Sequence, residues 1–234
     1  MTWAVPKVWQ GGDVWILGGG PSIFKQFKIP HEIVMGVMEG TLKPSIYSPY
    51  MVSIHEKHII GINIAYKIGN WIDMVFFGDS NFFLKNKNEL YNWEGIKICC
   101  SNVVSKYDWV KYILRDKNAA FGISKFPHCV AWNGNSGAAA ISIAANTGAK
   151  RIFLLGFDMK LDGGNFHHWH NEYGTKPVNG NPARRALPFA RHLRGFPAIK
   201  KDALAMGIQI INVNPDSAIE EFEKMTLKEA LNLQ

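Results

Sequence analysis

The chain has 234 residues, of which 47% are hydrophobic, 12% aromatic and only 19% charged. That balance excludes an intrinsically disordered protein and leaves enough apolar material for one large domain with a substantial core. A net charge of +7 favours anionic partners such as nucleotides, nucleic acid or acidic glycans. The three cysteines, with Cys99 and Cys100 adjacent, fit no disulfide framework and no zinc spacing, so the setting reads as reducing and cytoplasmic. Residues 1–7 lack the apolar region of a signal peptide. No stretch approaches about 18 uninterrupted apolar residues, so no membrane span is expected.

Asp13–Leu17 predicts a short strand that runs straight into Gly18-Gly19-Gly20-Pro21-Ser22. Strand, glycine turn and helix start is the arrangement with which nucleotide folds cradle phosphate. Pro21 suits the first helical turn and Ser22 a cap. The turn follows neither GxGxxG nor a P-loop, and it reads equally well as an ordinary strand-to-helix connection. Pro30, Pro44 and Pro49 interrupt any long helix before residue 57, and His55 and His58 read as surface residues. Ile59–Asn63 predicts a second strand whose terminal Asn63 either reads a base or ribose or caps a helix beginning after it. Met74–Phe77 predicts a third, running into Gly78-Asp79. There Asp79 either serves a ribose, a metal ion or a proton transfer, or holds a local turn.

Ile96–Cys100 predicts a fourth strand. Beyond it Lys106, Tyr107, Trp109, Lys111, Tyr112, Arg115 and Lys117 interleave basic and aromatic groups. The preferred reading is an amphipathic helix with a wet face; the other is a surface that stacks bases and meets phosphates. Asn133-Gly134-Asn135-Ser136-Gly137 then opens an alanine-rich helix that Gly148 ends, and its first N–H groups are available to an anion. The next apolar strand, from Ile152, ends in Gly156-Phe157-Asp158, placing a carboxylate where open α/β sheets bind ligands.

Residues 160–198 change character, being rich in Gly, Pro, Asn and His without periodicity, and predict a lid. They carry His167, His168, His170 and Tyr173, and histidine is the natural general base near neutral pH. That spacing does not put three ligands on one face of a regular element, so no metal site is expected there. Arg184, Arg185, Arg191, His192, Arg194, Lys200 and Lys201 form a basic run that either steers an anionic substrate or is a solvated helical face. Residues 199–206 predict a helix, Ile208–Val213 a last strand closed by Asn214-Pro215-Asp216-Ser217, and 218–232 a terminal amphipathic helix. With no repeat or linker, the reading is α/β: a single Rossmann-like domain over 1–234, a three-layer sandwich with a mainly parallel sheet and a lid at 160–198.

The ordered series GGGPS, Asn63, NSG with its helix, GAKRIFLLGFDM, a His/Trp loop and INVNPDSAI resembles the bacterial sialyltransferases that use CMP-sialic acid. It is also similar to the group around archaeal hydroxymethylpterin diphosphokinase, and to uncharacterised phage proteins. The resemblance covers residues 13–220. It implies nucleotide binding by Gly18, Gly19, Gly20, Pro21, Ser22, Asn63, Asn135, Ser136, Gly137 and Asp158. It implies His168 or His170 as the general base, and puts Asp79 where the sialyltransferases carry Asn. The chain departs from that pattern in Asp79 itself and in HHWH, which replaces Tyr-x-x-His.

The activity so implied is nucleotide-dependent transfer of a sugar from a CMP- or UDP-type donor to an acceptor hydroxyl. The alternative is a Mg-ATP-dependent diphosphokinase with Asp79 and Asp158 on Mg²⁺. A third reading, from charge, is a non-catalytic nucleic-acid-binding protein. The acceptor stays open among a glycan, a modified DNA base and a small molecule, and a homo-oligomer is compatible. A phage-encoded chain would act in the host cytoplasm.

Overall fold

The computed structural model describes residues 2–163, 166–172 and 188–233. In chain order the elements are β1 Asp13–Leu17, α1 Ser22–Gln26, α2 His31–Glu39, a 3₁₀ stretch Pro44–Ile54, β2 His58–Ile62, a 3₁₀ turn Asn63–Ile68, β3 Met74–Phe77 and α3 Ser80–Asn92. Then come β4 Ile96–Cys99, a 3₁₀ turn Asn102–Lys106, β5 Lys111–Tyr112, β6 Leu114–Arg115, β7 Cys129–Val130, α4 Ser136–Asn146 and β8 Arg151–Leu155. The last are α5 Phe189–Leu193, α6 Phe196–Met206, β9 Gln209–Asn212, β10 Glu223–Lys224 and α7 Leu227–Leu231.

Eight strands form one sheet in the order β10-β9-β8-β1-β2-β3-β4-β5, and every neighbouring pair is parallel. β6 and β7 pair separately. The chain steps outward from β1 to β5, returns to the other side of β1 as β8, and steps outward again to β10. β1 and β8 therefore flank the topological switch, where an open α/β sheet leaves a crevice beyond its strand ends.

Both faces of the sheet are covered, so its central strands read as continuous apolar runs. Successive side chains alternate between two cores. Trp15, Leu17, Val75, Phe77, Phe153 and Leu155 enter one, with residues of α1–α3. Val14, Ile16, Met74, Phe76, Ile152 and Leu154 enter the other, with α4 and α6. Within the first core Trp15 and Phe153 stack at 4.4 Å between ring centres, a geometry adding about 1 kcal/mol beyond area burial. The alanines of α4 are almost wholly buried, which lets that helix lie close on β1, β2 and β8.

Two sequence expectations give way here. Residues 102–130 form no amphipathic helix but a 3₁₀ turn and three two-residue strands. Tyr107 and Trp109 pack at 5.1 and 5.7 Å on Phe83 of α3, so the aromatics bind the protein's own core while Lys87 and Lys106 ride over Tyr107. The terminal helix is likewise shorter than 218–232: Ile219 and Phe222 turn into one core and Met225 into the other, and α7 starts after a Thr226–Glu229 capping box. That capping box was readable in the sequence as T-x-x-E.

No helix among the described residues is long and apolar enough to cross a membrane.

Candidate functional site

At the switch point the ends of β1, β2, β3 and β8 and the start of α4 surround a cavity of about 610 Å³. Its walls include Gly18, Gly19, Gly20, Asn63, Asp79, Asn135, Ser136, Gly137, Asp158, His168 and His170, so most of the predicted site residues meet there. Pro21 and Ser22 do not; they face a neighbouring cavity of about 980 Å³ on the α1 side, which shares only Asp158 and Lys160 with the first. The larger cavity lacks His168 and His170, and the smaller one holds them.

The glycine turn after β1 is tied to the end of β8. Gly18 and Gly20 donate their N–H groups to the Leu155 and Gly156 carbonyls at 2.8 Å. The Ser22 N–H donates to Asp158 Oδ2 at 2.8 Å, and Asn214 Nδ2 donates to Asp158 Oδ1 at 2.7 Å. Asp158 is thus a latch between β1, β8 and the end of β9; burial raises its pKa, against the hydrogen bonds from Ser22 and Asn214 that lower it. The glycines are required by crowding: a Cβ on Gly20 would lie 2.4 Å from Asp158 Oδ2, and one on Gly18 would lie 2.7 Å from the Gly156 carbonyl.

The turn before α4 is built with side-chain amides. Asn133, fully buried and at φ +55°, exchanges hydrogen bonds with Gly122 at 2.7 and 2.9 Å. Asn135 caps α4, its Oδ1 accepting from the Ala138 N–H at 2.7 Å while its Nδ2 donates to the His192 carbonyl at 3.1 Å. What remains toward the cavity is backbone. The N–H groups of Gly19, Ser136 and Gly137 have no partner among the described residues. Ser136 and Gly137 lie on the first turn of an 11-residue helix, where free N–H groups and the helix dipole favour an anion.

The histidines sit above this point because Trp169 anchors them. Its indole donates to the Gly18 carbonyl at 2.8 Å, its N–H to the Gly19 carbonyl at 3.0 Å, and its own carbonyl accepts from Tyr47 Oη at 3.2 Å. With Trp169 turned inward, His168 and His170 fall on one side and stack at 5.1 Å, 4° from parallel. Glu172 holds the far end, paired with Lys67 at 2.8 Å and Lys85 at 3.5 Å. Burial pushes His168 down to about 4, with the charge of His167 adding to it and a hydrogen bond to the Gly19 backbone opposing it. His170 is pushed further below the ordinary imidazole value, by burial first and then by His168 and Lys67. Both rings are neutral at pH 7 and able to accept a proton.

Asp79 caps α3, its Oδ1 accepting from the Asn81 N–H at 3.1 Å, and its exposed carboxylate faces the cavity. Asn63, directly after β2, sits at φ +52°, a left-handed conformation that Asn tolerates, and lines the cavity at the start of the 3₁₀ turn. Trp132 and Arg115 complete the far wall: the Arg115 guanidinium carbon lies 3.9 Å from the Trp132 ring centre. Sequence reasoning passed over Trp132 and counted Arg115 only within the interleaved basic and aromatic stretch, since nothing local links the two. Of the basic-run residues, Arg191 and His192 line the cavity and Lys200 and Lys201 are on α6. Tyr173, Arg184, Arg185 and much of the predicted lid lie outside the described residues.

The architecture has solved counterparts. Over its full length the chain superposes on 36% of the MAf glycosyltransferase from Magnetospirillum magneticum AMB-1, with a TM-score of 0.59 and 13% identity. The two chains share a fold. Over 95% of its length it also matches 82% of the monofunctional alpha-2,3-sialyltransferase Cst-I from Campylobacter jejuni, at TM-score 0.50 and 16% identity. The sialyltransferase CstII from the same organism, solved with cytidine-5'-monophosphate, matches at TM-score 0.49 and 16% identity over 91% of this chain and 84% of its own. The chain spans about a third of the MAf protein's length. No protein-family model and no curated protein matches the sequence.

Proposed function

We propose that the chain is a nucleotide-dependent glycosyltransferase that moves a sugar from a CMP- or UDP-type donor to an acceptor hydroxyl. The observation that carries this reading is a pair of neutral histidines, His170 buried and His168 half-buried, stacked over a cavity where Gly19, Ser136 and Gly137 present free N–H groups. The donor phosphate is placed between the glycine turn and the start of α4, with Asn63 beside the ribose or base. His168 or His170 takes the acceptor hydroxyl proton as the new bond to the sugar's anomeric carbon forms. The bond from that carbon to the phosphate oxygen breaks, and the nucleotide leaves with its charge against the backbone donors. Asp158 acts by holding the turn in place, since both of its carboxylate oxygens already accept hydrogen bonds. Within this reading residues 1–234 act as one domain.

A thermal-shift screen against CMP, UDP, GDP, ADP and ATP, each with and without Mg²⁺, tests the donor class. Ligands that bind the native state raise its melting temperature by mass action. A metal-independent shift with CMP or UDP is expected; a shift with ATP and Mg²⁺ alone transfers the site to the diphosphokinase reading. No shift with any nucleotide, alongside steeply salt-dependent DNA binding, favours the nucleic-acid reading. Once a donor is known, His168→Ala or His170→Ala is expected to cut turnover by about 10²–10⁴ in whichever variant removes the base. Full turnover in both sinks the assignment.

A further inference from the structure

Arg115 is the best-placed cation in the cavity that the donor reading leaves unused. It stands at the end of β6, and Trp132 follows β7, so the small β6–β7 pair carries both to the cavity wall. Three contacts immobilise the guanidinium. It lies over the Trp132 ring at 3.9 Å, its Nη2 donates to the Gly78 carbonyl at 2.9 Å, and its Nε reaches Cys100 Sγ at 3.4 Å. Gly78 is itself shaped to this arrangement, since a Cβ there would lie 2.2 Å from Trp132 Cζ3. Those contacts use two of the five N–H donors of a guanidinium. Among the described residues Arg115 has no carboxylate within ion-pair distance. Asp79 lines the same wall, but its carboxylate is exposed and bonded to the start of α3. A planar cation fixed on an aromatic face, with donors to spare, is suited to a bidentate carboxylate.

Arg115 stands to one side of the glycine turn after β1. Arg115 is bonded to Gly78, directly after β3, and β3 lies two strands from β1 and its glycine turn. Two strand spacings are about 10 Å. The stacked histidines line the same cavity, with His168 packing on Gly19. We infer that Arg115 on Trp132 is a second anion-recognition point, and that the acceptor carries a carboxylate which it grips while the acceptor hydroxyl lies under the histidines. This rests on the transferase reading for the word acceptor, and on geometry alone for the anion site.

The test is a matched pair of probes, p-nitrophenyl β-glucuronide and p-nitrophenyl β-glucoside, which differ in a carboxylate. Binding to the free protein is measured by NMR titration, with a CMP and UDP thermal shift run beside it. The glucuronide is expected to bind on the order of tenfold more tightly. Arg115→Met, which keeps an apolar stem over Trp132, is expected to abolish that preference with the nucleotide shift retained, and Arg115→Lys to keep part of it. Equal binding of the two probes, or a preference that survives Arg115→Met, overturns the inference. Loss of the nucleotide shift in Arg115→Met also overturns it, by placing Arg115 in the donor site. A glucuronide preference without any nucleotide shift sinks the donor reading and leaves the anion site standing.

Discussion

The turn after β1 and the turn before α4 are both glycine-rich, both open a helix and both face the same cavity, yet different forces hold them. The first is a knot of close approaches: Gly18 and Gly20 touch the end of β8 and the Asp158 carboxylate, with no room for a Cβ. The second has space. Gly134 is there for its φ of +75°, and side-chain amides from Asn133 and Asn135 make the structural bonds. In both, the polar side chains that suggest ligand contact are consumed by the protein, and backbone N–H groups are what face the cavity. A polar residue at a strand end is therefore as readily a brace for the site as a ligand of it.

That contrast can be broken by mutation, and the largest effect belongs to the knot. Gly20→Ala is expected to cost about 3 kcal/mol or more, because the new methyl would meet the Gly156 carbonyl at 2.6 Å as well as Asp158. Gly134→Ala meets nothing nearer than 3.4 Å and should cost only its left-handed conformation, about 1–2 kcal/mol. Denaturant unfolding of the two variants decides it, and equal losses would dissolve the distinction.

Acid should act almost as strongly, and through the histidine packed on the first turn. His168 lies near 4 in the folded chain against 6.5 when exposed, so below pH 6.5 the unfolded chain takes up a proton that the folded chain refuses. Stability contributed by the neutral ring is complete above pH 6.5 and declines as pH falls toward 4, by about 3 kcal/mol in all. Melting temperature followed from pH 7 to 4 should fall less steeply in His168→Gln. An unchanged slope would show that the ring is not buried.

The smallest effects compare the two polar braces. Asp158→Asn replaces one acceptor oxygen with a donor facing Ser22 or Asn214, and is expected to cost about 2 kcal/mol. Asn135→Ala removes a helix cap, worth about 1 kcal/mol. Chemical denaturation of both variants should rank them in that order; the reverse ranking would mean that the second turn, not the first, carries the site.

Much of this was legible locally. The alternation of apolar runs with glycine-punctuated helices pointed to a parallel α/β sheet, because strand period and turn chemistry are properties of a few adjacent residues. Gly18–Gly20, Asn63, Asp79, Asn135–Gly137 and Asp158, which line the cavity, read the same way, each at a strand end or a helix start. The stretch 102–130 misled because interleaved aromatic and basic residues look alike whether the aromatics face a helix partner, a base or, as here, Phe83. HHWH reads as a source of the general base and not as a metal site, since its spacing does not put three ligands on one face of a regular element. A bent segment pinned by Trp169 sets His168 and His170 side by side.

The order of residues thus specified the kind of sheet, the punctuation of its strands and the set of groups gathered at their ends. Those follow from hydrophobic period, glycine freedom and helix capping, which act over a turn or two of chain. Long-range packing chose which of them work together. The return of β8 beside β1 brings Asp158 to Ser22, 136 residues away in sequence. Trp169 reaches Gly18 from 151 residues off, and the β6–β7 pair lays Arg115 on Trp132. Contacts of that range are set by strand order and by how two cores close around the sheet, and no local pattern of residue types encodes them.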